Sequence, residues 1–80
     1  MDDVEIVQRI TALADEEHAL ERSNAGEGLS DEEQQRLRAV EVALDQCWDL
    51  LRQRRARRGA GQDPDTAAAR PPEVVERYEQ

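Results

Sequence analysis

Between Leu37 and Arg58, apolar residues recur at Leu37, Val40, Leu44, Cys47/Trp48 and Leu51, and the run passes straight into Arg52-Gln53-Arg54-Arg55-Ala56-Arg57-Arg58. Steps that alternate between three and four lay one apolar edge along an α-helix, the pattern of a coiled-coil seam. A helix with a single such edge cannot shield it from water alone, so the stripe demands a partner helix. Helix association is therefore the first constraint on what this chain can fold into.

The partner is found upstream. From about Asp2 to Ser23, Ile6, Ile10, Leu13 and Leu20 share an edge with Val7 and Ala14 beside it, and Asp2, Asp3 and Glu5 sit where a helix dipole is positive. Asn24-Ala25-Gly26-Glu27-Gly28 breaks the pattern with two glycines, a short connection of the kind that joins antiparallel helices. Ser30-Asp31-Glu32-Glu33 is a capping box opening a second helix, expected over about 31–58, with arginines gathered in its last turn. Counting outward from the connection pairs positions whose numbers sum to about 54, so Ile6 is expected to face Trp48, Ile10 to face Leu44 and Leu13 to face Val40. The expected core is Ile6, Ile10, Leu13, Leu37, Val40, Leu44, Trp48 and Leu51, with Trp48 as its large anchor and Cys47 as a small hydrophobe.

Residues 59–80 follow the 1–58 hairpin as a linker and short tail. Gly59 to Pro72 has no apolar period and holds two glycines, three prolines and an alanine run, while Glu73 to Tyr78 could form one or two turns that dock Val74, Val75 and Tyr78 on the hairpin. The fold class expected is all-α: an antiparallel, coiled-coil-like two-helix hairpin with a proline-containing tail. A hairpin of two helices leaves Val7, Ala14, Ala43 and Leu50 partly bare, so dimerisation into a four-helix bundle is the expected assembly.

Eighty residues allow one domain with a small core. With Cys47 as the lone cysteine no disulfide within the chain can form, and no stretch approaches the ~18 apolar residues of a membrane span, so a reducing cytoplasm and no membrane are expected. The net charge of −8 is unevenly spread: residues 1–50 carry fourteen acids and four arginines, residues 52–58 five arginines and no acid, and residues 59–80 five acids and two arginines. An acidic chain repels nucleic acid on average, so any polyanion contact would be local to that island and salt-sensitive.

Three groups could carry chemistry. Arg52, Arg54, Arg55, Arg57 and Arg58 could hold phosphates with their guanidinium forks, though a simpler role is to offset the helix dipole and pair with Asp2, Asp3 and Glu5, with Arg52 and Arg55 nearest those acids. Asp15, His18 and Glu21 stand three apart on a helix, a spacing that can share a metal, and Glu41 from the second helix could complete a bundle site. One histidine per hairpin is too few for the di-iron pattern, so a surface histidine beside Arg38 or Glu21 is the plainer expectation. Glu17 interrupts the seam and could meet Arg36 or Arg38. No histidine is placed beside Cys47, and no catalytic triad, phosphate-binding glycine loop or metal-spaced cysteine set occurs, so neither an enzyme nor a resident cofactor is expected.

Asp15-Glu16-Glu17-His18, the run Leu44-Asp45-Gln46-Cys47-Trp48-Asp49-Leu50-Leu51-Arg52-Gln53-Arg54-Arg55-Ala56, and Arg70-Pro71-Pro72 before an acidic end resemble the short actinobacterial proteins grouped as domain of unknown function 2630. The resemblance covers nearly the whole chain. It implies a small cytosolic helical protein and brings no catalytic or binding residues to map. The residues themselves point to a non-enzymatic interaction or adaptor protein that self-associates as a homodimer through its apolar seam or meets another protein. The alternatives are a regulatory module that binds nucleic acid or a nucleotide through the arginine cluster and, further off, a metal-binding bundle.

Overall fold

A computed structural model describes residues 1–23 and 28–75. The protein is all-α: helix α1 spans Asp3–Ser23, helix α2 spans Asp31–Gly59, a single 3-10 turn spans Pro64–Thr66, and a short helix α3 spans Pro72–Val75. No described residue is in a strand, and no helix among them is long and apolar enough to cross a membrane. The connection 24–27 and Tyr78, with its expected docking, lie outside the described residues.

Both long helices start on capping boxes. The Glu33 amide donates to Ser30 Oγ at 3.2 Å while the Ser30 amide donates to Glu33 Oε1 at 3.1 Å. At α1 the Glu5 amide donates to Asp2 Oδ1 at 2.8 Å and the Asp2 amide donates to Glu5 Oε1 at 3.1 Å, so those two acids close the helix start rather than reaching across to arginines. The end of α2 explains the course of the tail. The Gln62 amide donates to the Arg57 carbonyl at 2.7 Å and the Gly61 amide to the Arg58 carbonyl at 3.1 Å, a Schellman arrangement with Gly61 at φ 73°. That left-handed residue turns the chain back, and the tail then runs antiparallel along α2.

α1 and α2 pack as an antiparallel pair around Ile6, Ile10, Leu13, Val40, Cys47 and Leu51, with Ala43, Leu44 and Leu50 half-buried against them. Leu37 is also half-buried. Trp48 is 44% exposed and is not the core anchor. The reason is angular: Val40, Cys47 and Leu51 already fill the side of α2 turned to α1, and Trp48 stands one ~100° step around the helix from Cys47. Ile6, expected opposite Trp48, is fully buried.

Residues 59–75 are more than a linker. The 3-10 turn and α3 both pack on α2, and Val75 is 2% exposed. Asp63 starts the turn by accepting from the Asp65 amide at 2.9 Å, and Pro64 and Pro72 occupy first-turn positions where a missing N–H costs nothing. The tail thus supplies a third layer that covers one side of α2.

Candidate functional site

Two faces of α2, one covered and one open, frame the functional question. On the covered face Asp49 is completely buried. Arg70 from the tail grips its carboxylate with both Nε and Nη2, the Nε contact at 2.9 Å, and Gln53 Nε2 donates to the same carboxylate at 2.9 Å. Gln53 also donates to the Ala68 carbonyl at 2.8 Å, and Gln46 donates to the Arg70 carbonyl at 3.2 Å. The Arg70 guanidinium, with help from Gln53, holds the Asp49 carboxyl below the usual carboxylate range against the opposing pull of burial. A buried charge is tolerable only when paired and hydrogen-bonded, and this one is both. Gln46, Asp49 and Gln53 lie three and four apart, a polar stripe that spacing alone could have picked out as a docking edge for the tail.

The arginine cluster does not act as one unit. Arg54 is only 6% exposed because it stands seven residues after Cys47, itself seven after Val40, and so occupies the next core-facing position. Its guanidinium is satisfied by Asp3, by Asp65 at 2.9 Å and by the Pro64 carbonyl at 3.2 Å, which ties the start of α1 and the tail to the end of α2. Arg58 takes the other Asp3 oxygen. The cross-helix partners are therefore Arg54 and Arg58 with Asp3, not Arg52 and Arg55. Asp3 is held below its ordinary pKa by Arg54 first and Arg58 next. Five arginines within seven helical residues must fan around the axis at about 100° per step, so Arg52, Arg54, Arg55, Arg57 and Arg58 do not share a phosphate-facing surface. Arg52 and Arg55 are exposed, and Arg57 is half-buried with its Nε buried and unbonded.

At the connection end, Arg36 pairs bidentately with Glu16 rather than with Glu17. The possible metal donors are regrouped as well: Glu17, His18 and Glu21 bring one ligand atom each within 4.8 Å of one another, and Asp15 stays outside the group. Glu17 takes its place because it stands four residues before Glu21, one helical turn away, whereas Asp15 stands six before it and faces another side of the helix. All three donors come from one helix, with His18 and Glu21 exposed. Cys47 is a buried free thiol whose pKa is pushed up by burial, with Arg9 pulling weakly the other way, so it is a poor nucleophile.

The open face lies on the other side of the hairpin. A groove of about 370 Å³ runs between the helices, lined by Ile10, Ala14 and Glu17 of α1 and by Glu41, Leu44, Asp45 and Trp48 of α2. Val7 stands seven residues before Ala14 and hence on the same side of α1, and it is 50% exposed. Apolar side chains here meet a groove with no described element over it.

The protein-family comparison matches residues 2–80 to the model described as "Protein of unknown function (DUF2630)". Among curated proteins, an uncharacterized protein of Mycobacterium bovis and one of Mycobacterium tuberculosis are each 52% identical over 77 residues, covering 95% of this chain and 88% of the relative. No solved structure matches it.

Proposed function

This chain belongs to the DUF2630 family of proteins of unknown function, and from that premise we propose that it is a non-enzymatic interaction protein that self-associates through the open apolar face of its hairpin. The supporting observation is Trp48, the largest apolar side chain in the protein, left 44% exposed beside an open groove while the tail covers the opposite face of the same helix. An exposed tryptophan beside a groove is the residue type that most often anchors an association. The fan of arginines around the end of α2 and the three donors on one helix give the phosphate and metal readings less support. A reducing, cytoplasmic setting fits the free, buried Cys47.

The test is native mass spectrometry of the untagged protein at near-physiological ionic strength, paired with sedimentation over a hundredfold range of concentration. A dimer that persists in 1 M salt is the expected result, because apolar burial is not screened. A monomer throughout would end the self-association reading. Retained metal or nucleotide mass would promote the corresponding alternative.

A further inference from the structure

The open face carries its own instruction for the partner. Glu41 stands seven residues before Trp48 and Arg55 seven residues after it, so all three lie on one stripe of α2. Glu41, Trp48 and Arg55 are each exposed, and among the described residues neither Glu41 nor Arg55 has an ion pair. The stripe is therefore acidic at one end, aromatic at the middle and basic at the other. A strip of that kind is complementary to itself when turned end for end.

Resting on the self-association reading above, we infer that the occupant of the open face is a second copy of this chain, packed with its α2 antiparallel, Trp48 of each copy beside the two-fold axis and Arg55 of each against Glu41 of the other. Antiparallel two-fold packing brings together positions equally far from the axis, so the seven-residue offsets on both sides of Trp48 become two symmetry-related ion pairs. Glu41 and Arg55 on one helix stand about 21 Å apart, so the pairs flank Trp48 at a distance that leaves it room. Val7 and Ala14 lie on the same side of the hairpin, and the groove itself sets Ile10, Leu44 and Trp48 among the acids Glu17, Glu41 and Asp45, so the contact joins apolar side chains to carboxylates that a basic residue of the partner must meet. A parallel pairing would instead set Glu41 on Glu41 and Arg55 on Arg55, two like-charge contacts that the antiparallel one avoids. The described part of the tail lies elsewhere, because Arg70, Gln53 and Gln46 fasten it to the other side of α2.

Charge exchange on the full chain tests the register. Glu41→Arg or Arg55→Glu alone places like charges together twice per dimer and is expected to raise the dimer Kd tenfold or more by sedimentation equilibrium at low salt. The double variant Glu41→Arg/Arg55→Glu is expected to return to within about threefold of the unchanged protein, and the single-variant defects should shrink in 1 M salt. Circular dichroism checks that each exposed substitution leaves the helices intact. If the unchanged protein dimerises but the double variant is no better than the singles, or the singles have no defect, the antiparallel register is overturned while self-association stands. If the unchanged protein is monomeric at every concentration, both ideas fall.

Discussion

Trp48 and Asp49 are neighbours in sequence and opposites in environment: the large aromatic is 44% exposed and the carboxylate is at 0%. Hydropathy would have exchanged them. The inversion follows from what lies on either side of α2. A stretch of tail held through Arg70 and by Gln53 and Gln46 of α2 covers the side bearing Asp49 and brings the counter-charge and hydrogen bonds that a buried carboxylate requires. The side bearing Trp48 faces an open groove. A residue's burial here reports which third element its face of the helix meets, and only secondarily its own polarity.

The sharpest way to break this comparison is to remove each neighbour in turn at dilute protein. Asp49→Ala is expected to cost about 2–4 kcal/mol in urea unfolding, toward the lower figure because Arg70 is about a third exposed and can turn to water once its partner is gone. Val75→Ala, which empties the tail's buried apolar contact, should cost about 2 kcal/mol. Trp48→Ala in the monomer should cost about 2 kcal/mol, roughly half the loss at a fully buried tryptophan, while abolishing association. A larger loss for Trp48→Ala than for Asp49→Ala at a concentration where no dimer is present would reverse the assignment of covered and open faces.

Acid titration sharpens the same contrast. Asp49, Asp3 and Glu16 all have folded pKa values held below their ordinary ones by Arg70, Arg54 and Arg36 respectively. A depressed carboxylate adds stability that is present above its unfolded pKa and lost as pH falls through its folded one, so the urea midpoint should drop below about pH 4. Asp49→Asn should flatten that drop, whereas Trp48→Phe should leave its slope unchanged. Two smaller effects complete the series. Arg54→Gln should lower the urea midpoint while Arg55→Gln leaves it unmoved, although both belong to one cluster in sequence. The Cys47 thiol should react with a disulfide reagent only as fast as the protein opens, while acrylamide quenches Trp48 fluorescence in the native monomer.

Much of this was legible beforehand where the signal was local. The capping box at Ser30, the apolar edge of α1 and the seam through Val40 and Leu51 each depend on residues within a few turns of one another. Arg54 was legible too, had the seven-residue step from Val40 through Cys47 been carried one repeat further. Asp3's partners were misassigned because a long arginine reaches past the residue directly across from it. The covered face was harder. The polar stripe Gln46, Asp49 and Gln53 hinted at a docking edge, but what docks there was not local, since Arg70 lies twenty-one positions from Asp49 beyond a turn made by Gly61. The choice of Glu17 over Asp15 beside His18 was legible in the spacing, since Glu17 stands four residues from Glu21 and Asp15 six.

By itself the sequence determined that two amphipathic helices form, where α2 begins and that they pack antiparallel, because caps, short connections and helical periodicity act over one or two turns. Only the tertiary structure decided which side of α2 is sealed and which is left open. That choice rests on contacts between residues far apart in the chain, whose free energy depends on a buried charge meeting its partner in space.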